Sequence, residues 1–193
     1  LTNTHLGLLR HGQTDWNINF LLQGVTDIPM NQTGIKQVKL AAKAIRAEDW
    51  DVVITSPLSR ARQTAEIIAS QHGFPEIVEE ELLIERSFGE AEGLSHEQWR
   101  MKYSNLDEIP GGESRTQLAE RSNLLLETIS EKLAGKRVLA VSHGALIRTL
   151  LSIASDNELP RDGERIGNAS FNVLKHNDNS WKVINYSLEP LVP

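Results

Sequence analysis

Two short apolar runs in this chain end alike. Leu6–Leu9 passes into Arg10-His11-Gly12, and Val138–Ser142 passes into His143-Gly144. A third run, Asp51–Thr55, passes into Ser56-Pro57. Runs this short, apolar and bounded by polar or turn residues read as strands covered on both faces. A helical pattern follows each. From Thr33 to about Arg46 the apolar rhythm is Ile35, Val38, Ala41, Ala42 and Ile45, with Asn31 or Thr33 as cap. After Ser56 as cap and Pro57 as first helical residue come Leu58, Ala61, Ala65 and Ile68, with Gly73 at the end. Ser114 and Gln117 have capping-box spacing ahead of Leu118, Leu125, Ile129 and Leu133, and Gly135 stops that helix. Leu146, Ile147, Leu150 and Leu151 form a fourth after Gly144.

Strands alternating with helices predict an α/β fold. The expected form is a three-layer sandwich, with a mostly parallel central sheet, an antiparallel edge strand and helices on both faces. A weaker strand is expected at Glu76–Glu79. Ser170–Leu174 and Trp181–Tyr186 alternate more and read as a hairpin across His176–Ser180. Leu94–Gly112 is less periodic and reads as a connector with one short helix near Ser95–Tyr103, overhanging the site. No repeat or interdomain linker interrupts the pattern, so residues 1–193 are expected to form a single domain.

Ligands of open α/β sheets bind outside the carboxyl ends of the strands. Both histidines are delivered there. The reading is that His11 attacks phosphorus while Arg10 holds the phosphate, and that Gly12 turns the backbone and leaves room for the ligand. A phosphoryl group carries about two negative charges near neutral pH. Arginine's planar fork matches its oxygens. A nearby arginine keeps an attacking histidine neutral. A carboxylic acid must protonate the leaving oxygen, and the helix after Gly144 offers N–H groups to an anion.

The remaining composition narrows the class. The chain has no cysteine, which excludes thiolate nucleophiles, disulfides and zinc–thiolate sites. Its formal charge of −6 argues against nucleic acid or an anionic membrane as partner. No apolar segment is long enough to span a bilayer, and the first residues lack a signal-peptide pattern, so a cytoplasmic location is expected. No Gly-x-x-x-x-Gly-Lys loop or His-Glu-x-x-His spacing is present. Asp49-Trp50-Asp51 is similar to an aspartyl-phosphate motif but precedes its strand. Gly112-Glu113-Ser114 lacks the second glycine of a nucleophile elbow.

Taken together, the motifs resemble the histidine phosphatase superfamily, also called phosphoglycerate mutase-like proteins. They are Arg10-His11-Gly12-x-Thr14-x-x-Asn17, Gln23-Gly24, Ser56-Pro57-Leu58-x-Arg60-Ala61-x-x-Thr64-Ala65, Glu85-x-x-Phe88-Gly89-x-x-Glu92-Gly93, Pro110-Gly111-Gly112-Glu113-Ser114 and Ser142-His143-Gly144. The resemblance implies that His11 becomes phosphohistidine. It implies that Arg10, Arg60 and His143 complete the phosphate pocket. Glu85 would be the acid and then the base, and Asn17, Gln23, Gly24 and Gly144 would line the substrate side. It implies no metal and no cofactor, and a small phosphorylated substrate.

Within that family the chain reads as a phosphatase. The segment from Glu85 to His143 is short, and Arg86, Arg100, Lys102 and Arg115 are the only candidates for a second anion site. The form Glu85-Arg86-x-Phe88-Gly89 leans toward a phosphoglycerate mutase, the alternative. A non-catalytic phospholigand binder is the alternative from another class. Arg62 is assigned to a solvated or ion-paired face. Glu81 and Glu90 are assigned to the surface and Glu92 to a structural role. His5, His72, His96 and His176 are taken as exposed bystanders. All four tryptophans read first as core residues, with Trp16 and Trp99 the two placed to reach substrate.

Overall fold

The computed structural model describes residues 3–74, 76–177 and 180–193. Its strands are β1 (Thr4–Arg10), β2 (Val52–Thr55), β3 (Ile77–Glu79), β4 (Arg137–Ser142), β5 (Phe171–Asn177) and β6 (Ser180–Asn185). Its helices are α1 (Asp15–Ile18), α2 (Gln32–Ala44), α3 (Ser59–His72), α4 (His96–Lys102), α5 (Arg115–Lys132) and α6 (Gly144–Ala154). The strands form one sheet in the order β3-β2-β4-β1-β5-β6. The first four run parallel; β5 runs against β1, and the edge strand β6 runs against β5. The expected hairpin turn falls on Asp178 and Asn179, which lie outside the described residues.

Alternate residues of the central strands feed two cores. Leu6, Leu8, Val138 and Ala140 pack with α5 and α6. Leu9, Val53, Leu139 and Val141 pack with α2 and α3. Leu146, Ile147, Leu150 and Leu151 of α6 are fully buried. Each such side chain contributes up to about 1.5–3 kcal/mol relative to exposure. The chain leaves β1 toward α2 on one face and leaves β4 toward α6 on the other. Between β1 and β4 the connections therefore diverge, and a crevice opens at the carboxyl ends of the two strands.

The helix boundaries show which local signals prevail. Asn31 caps α2 by accepting the Gly34 N–H at 2.8 Å, and Thr33 lies inside the helix. The capping boxes at Ser95/Gln98 and Ser114/Gln117 both form. The α3 start differs from expectation: the helix begins at Ser59, with Leu58 at the cap position and Ser56-Pro57 outside. The Ser56 hydroxyl still accepts the Leu58 N–H at 3.3 Å, but its other partner is a histidine ring. The short helix α1 was not expected. Its signal is Thr14-x-x-Asn17, a capping box with asparagine as the reciprocal partner.

Gly12 serves a purpose other than a turn. A Cβ there would lie 2.5 Å from the Gly34 carbonyl oxygen and 2.6 Å from Met30 Sδ. A Cβ on Gly34 would lie 2.2 Å from the Gln13 carbonyl oxygen. The two glycines let the amino end of α2 press directly on the loop behind His11. Gly34→Ala should therefore lower thermal stability, although alanine is favoured in helices by about 1 kcal/mol. Overpacking costs about 1–3 kcal/mol, and against backbone the upper part of that range applies. A melting temperature several degrees lower is expected by calorimetry; an unchanged or higher value would contradict this packing.

Candidate active site

The sheet register places the two histidines together. Arg10 is level with Ser142 across the β1–β4 pair, and the His11 N–H donates to the Ser142 carbonyl at 3.1 Å. The His11 and His143 rings lie 5.1 Å apart, centroid to centroid. His11 Nδ1 lies 2.7 Å from the Gly12 carbonyl oxygen. A carbonyl only accepts, so Nδ1 carries the proton and Nε2 keeps its lone pair. His143 Nε2 meets the Ser56 hydroxyl at 2.7 Å, and its buried Nδ1 has no protein partner. Burial holds both imidazoles well below the usual histidine range, and the charges of Arg10 and Arg60 add to the effect. Both rings are neutral at pH 7.

The two arginines are anchored through backbone carbonyls. Arg10 donates to Ile166 O. Arg60 donates to Thr26 O at 2.9 Å and Gly24 O at 2.7 Å. Each retains a buried Nε–H without a protein partner. Burial pulls the Arg10 guanidinium down to about 10, where it is still a cation at neutral pH. Arg60 is lowered by burial as well. Arg62 stands outside, ion-paired with Glu79 at 3.2 Å.

Glu85 is held by helix α6. One carboxylate oxygen accepts the N–H groups of Arg86 at 2.8 Å and Leu146 at 3.1 Å; the other accepts that of Ala145 at 3.0 Å. The amino end of α6 is thus largely occupied by a side chain of the protein. The Gly144 N–H alone stays without a partner among the described residues. Arg10 lies against Gly144, where a Cβ would be 3.4 Å from the guanidinium carbon.

His11, Glu85, Arg10, Arg60, Asn17, Gln23, Gly24 and Gly144 all line one cleft of about 360 Å³. His143 stands behind it, against His11. The Gln23 side-chain oxygen accepts the Thr14 hydroxyl at 2.7 Å. Asn17 Oδ1 accepts the Thr14 N–H at 3.0 Å and the Asn168 amide at 3.1 Å. Gly24 has φ +54°, and a Cβ there would lie 2.0 Å from a Glu92 oxygen. That carboxylate accepts the N–H groups of Val25, Thr26 and Phe88. Glu92 is therefore structural, and it shapes the loop that Arg60 holds from the other side. A larger hollow of about 900 Å³ between α5, α6 and β6 carries Glu127, Glu131, Asp156 and Glu158, an acidic lining unsuited to phosphate.

Some expectations need correction. Trp99 is buried in a small core with Phe88, Ala91 and Ile109 and does not line the cleft, so its core reading holds and its placement to reach substrate does not. Trp16 does line a groove adjoining the cleft, and so does the exposed His96. His5, His72 and His176 are half-buried rather than exposed. Arg86 reaches the cleft but pairs with Asp107 at 2.7 Å. Arg115 pairs with the same Asp107, and neither it nor Arg100 nor Lys102 lines the cleft. Of the connector Leu94–Gly112, Leu106 lines the cleft. Three arginines were missed. Arg121 of α5 donates to the carbonyls of Leu82 and Ile84 and pairs with Glu113, which fixes the segment bearing Glu85. Arg148 and Arg165 line the cleft. Arg121 and Arg148 lie in helical patterns and Arg165 in a loop, so nothing local distinguishes them.

Comparison with known proteins identifies the family. A family model described as histidine phosphatase superfamily (branch 1) matches residues 6–188. The chain is 35% identical to a Bacillus subtilis protein named as an uncharacterized phosphatase PhoE, covering 96% of this chain and 95% of that one. It is 36% identical to a metal-independent phosphoserine phosphatase of Arabidopsis thaliana, covering 95% and 81%. It is 34% identical to a probable phosphoglycerate mutase GpmB of Yersinia pestis, covering 94% and 89%. Among solved structures, a mycobacterial glucosyl-3-phosphoglycerate phosphatase superposes with a TM-score of 0.82 at 27% identity, covering 97% of this chain and 100% of that one. The chain therefore belongs to the histidine phosphatase superfamily, branch 1.

Proposed function

We propose that this chain hydrolyses small phosphomonoesters through a phosphohistidine on His11. One observation carries the reading: His11 is a neutral imidazole whose Nδ1 proton is committed to Gly12, which leaves the Nε2 lone pair free in a cleft that Arg10 and Arg60 also line. The unpartnered Nε–H groups of Arg10 and Arg60 supply donors for phosphoryl oxygens. The Gly144 N–H and His143 Nδ1 supply further contacts. Such preorganised donors cost little reorganisation as charge moves.

The steps follow from these positions. The Nε2 lone pair attacks phosphorus and the phosphorus–oxygen ester bond breaks. Glu85, which carries a proton in the substrate complex, gives it to the leaving oxygen as that bond breaks. Glu85 then takes a proton from water, whose oxygen attacks phosphorus as the phosphorus–nitrogen bond breaks. Inorganic phosphate leaves and His11 is restored. Arg121 and the α6 amides position Glu85 for both transfers.

A mutase would pass the phosphoryl group to a second hydroxyl. The Glu85-Arg86-x-Phe88-Gly89 form favours that reading. Against it, Arg100, Lys102 and Arg115 stand away from the cleft. Water is therefore the assigned acceptor.

The mechanism is tested by phosphate release from a panel of phosphorylated metabolites, with and without EDTA. Activity should persist in EDTA, because arginines do the cationic work. His11→Ala should abolish turnover and acid-labile phosphorylation of the protein. Glu85→Gln should cost roughly 10²–10⁴-fold, and Arg60→Ala about 10²–10³-fold. Near-parental activity in His11→Ala would overturn the mechanism.

The pH profile gives a second test. An imidazole held well below 6.5 stays unprotonated, and competent to attack, as pH falls through 6.5. It is lost only when pH reaches its lowered value. The acid limb of kcat/KM should therefore lie below pH 6.5. A limb at or above 6.5 that moves with the His11 environment would contradict a buried neutral nucleophile.

A further inference from the structure

Ser56 and His143 are both fully buried, and the sheet brings them together. Thr55 is level with Val141 across the β2–β4 pair, and the Ser56 N–H donates to the Val141 carbonyl at 3.0 Å. The Ser56 hydroxyl then stands 2.7 Å from His143 Nε2. A hydroxyl has one proton to give and two lone pairs. One lone pair accepts the Leu58 N–H at 3.3 Å. Among the described residues, the hydroxyl proton has a single acceptor in reach, His143 Nε2. Were Nε2 the protonated nitrogen, the hydroxyl proton would be buried without an acceptor, at a cost of about 1–3 kcal/mol. A ring turned over would set a carbon at the same place, with the same loss. Nε2 therefore accepts. Burial, with the charge of Arg60, keeps the ring neutral, so its one proton is on Nδ1.

We infer that Ser56 is a positioning residue: its hydroxyl fixes His143 as the Nδ1–H tautomer, so that His143 offers the phosphoryl group a neutral donor. Nδ1 of His143 is buried without a partner among the described residues, as are Nε of Arg10 and Nε of Arg60. The two nitrogens lie on separate edges of the ring, so Nδ1 is turned away from Ser56, and the His11 ring lies 5.1 Å from this one. The other tautomer would meet phosphoryl oxygens with a lone pair and repel them. His11 and His143 thus share one tautomer for different ends. In His11 the Gly12 carbonyl takes the Nδ1 proton and frees Nε2 for attack. In His143 the Ser56 hydroxyl occupies Nε2 and leaves the N–H for the ligand. This use of the hydroxyl also accounts for the late start of α3, where Leu58 and not Ser56 holds the cap position.

The role of the donor rests on the phosphatase reading, but the tautomer is read without turnover, so the two fail separately. In the full chain labelled with nitrogen-15, long-range proton–nitrogen correlation spectra distinguish protonated from unprotonated ring nitrogens. The His143 signals are assigned by their loss in His143→Asn. Near neutral pH the unsubstituted protein should show His143 with Nδ1 protonated and Nε2 bare. Inorganic phosphate should shift the Nδ1 signal and leave Nε2 bare. Ser56→Ala should move His143 toward the Nε2–H form while the His11 pattern stays as it was, which separates lost tautomer control from a disordered pocket. The same variant should lower kcat/KM for p-nitrophenyl phosphate about tenfold, the upper worth of one neutral hydrogen bond. A bare Nδ1 on His143 of the unsubstituted protein overturns the assignment, whatever becomes of the variant. So does phosphate that shifts His11 but not His143 Nδ1, or a Ser56→Ala variant that keeps either the His143 pattern or kcat/KM within twofold. No hydrolysis of p-nitrophenyl phosphate by the unsubstituted protein overturns the phosphatase reading alone.

Discussion

Two buried guanidinium groups govern the layout of this site. Taking an ion out of water costs several kcal/mol unless other groups replace its hydration. Arg60 is only 1% exposed, and Arg10 is half-buried with its Nε enclosed. Their replacement partners are carbonyls of Gly24, Thr26 and Ile166, with Glu85 as the nearby opposite charge. The loops that supply those carbonyls must therefore lie where they do. The same cations, with burial, keep His11 and His143 neutral. His11, Glu85 and the Gly24 loop are arranged around one electrostatic requirement.

The supporting frame rests on two charged groups that do not line the cleft, Glu92 and Arg121. Glu92 gathers the N–H groups of Val25, Thr26 and Phe88, and so draws the Gly24 loop toward the segment after Glu85. Arg121 draws the Leu82–Ile84 carbonyls and Glu113 toward α5. The Ser142 hydroxyl donates to the Leu83 carbonyl at 2.8 Å, which ties the same segment to the end of β4. Glu85 is thereby fixed from both sides, and its carboxylate meets the amides opening α6. Removing Glu92 or Arg121 would leave partly buried amides or carbonyls unpaired, each at a cost of up to about 1–3 kcal/mol where water cannot reach it.

The fold was legible because its signals are local. Apolar runs at Leu6–Leu9 and Val138–Ser142, the helical rhythm of α2 and α6, and the Ser114/Gln117 capping box each depend on neighbours in sequence. The pocket was legible through motif spacing, since His11, Arg60, Glu85 and His143 stand in an order that resembles a known family. What the sequence hid depends on contacts far apart in the chain. Gly12 looked like a turn residue, yet it is required by the close approach of Gly34. The α3 start looked like Ser56-Pro57, but the Ser56 hydroxyl is engaged by His143, 87 positions away. Arg148 and Arg165 carry no motif and become visible only where α6 and the loop before β5 meet the cleft.

The contrast between an acidic chain and a cationic cleft bears on how such a site selects its ligand. At physiological ionic strength the screening length is about 8 Å. The net charge of −6 is therefore felt weakly by an approaching phosphate, except near the mouth of the cleft. Inside, Arg10 and Arg60 act in a low-dielectric environment where a charged contact is far stronger than in water. Arg165, at the exposed rim, is screened as surface charges are. Salt should thus weaken the outer contact before the inner one. The inner pair is anchored by backbone carbonyls, whereas the rim residue is exposed. A substitution at the rim can then leave the inner charges and their carbonyl partners undisturbed.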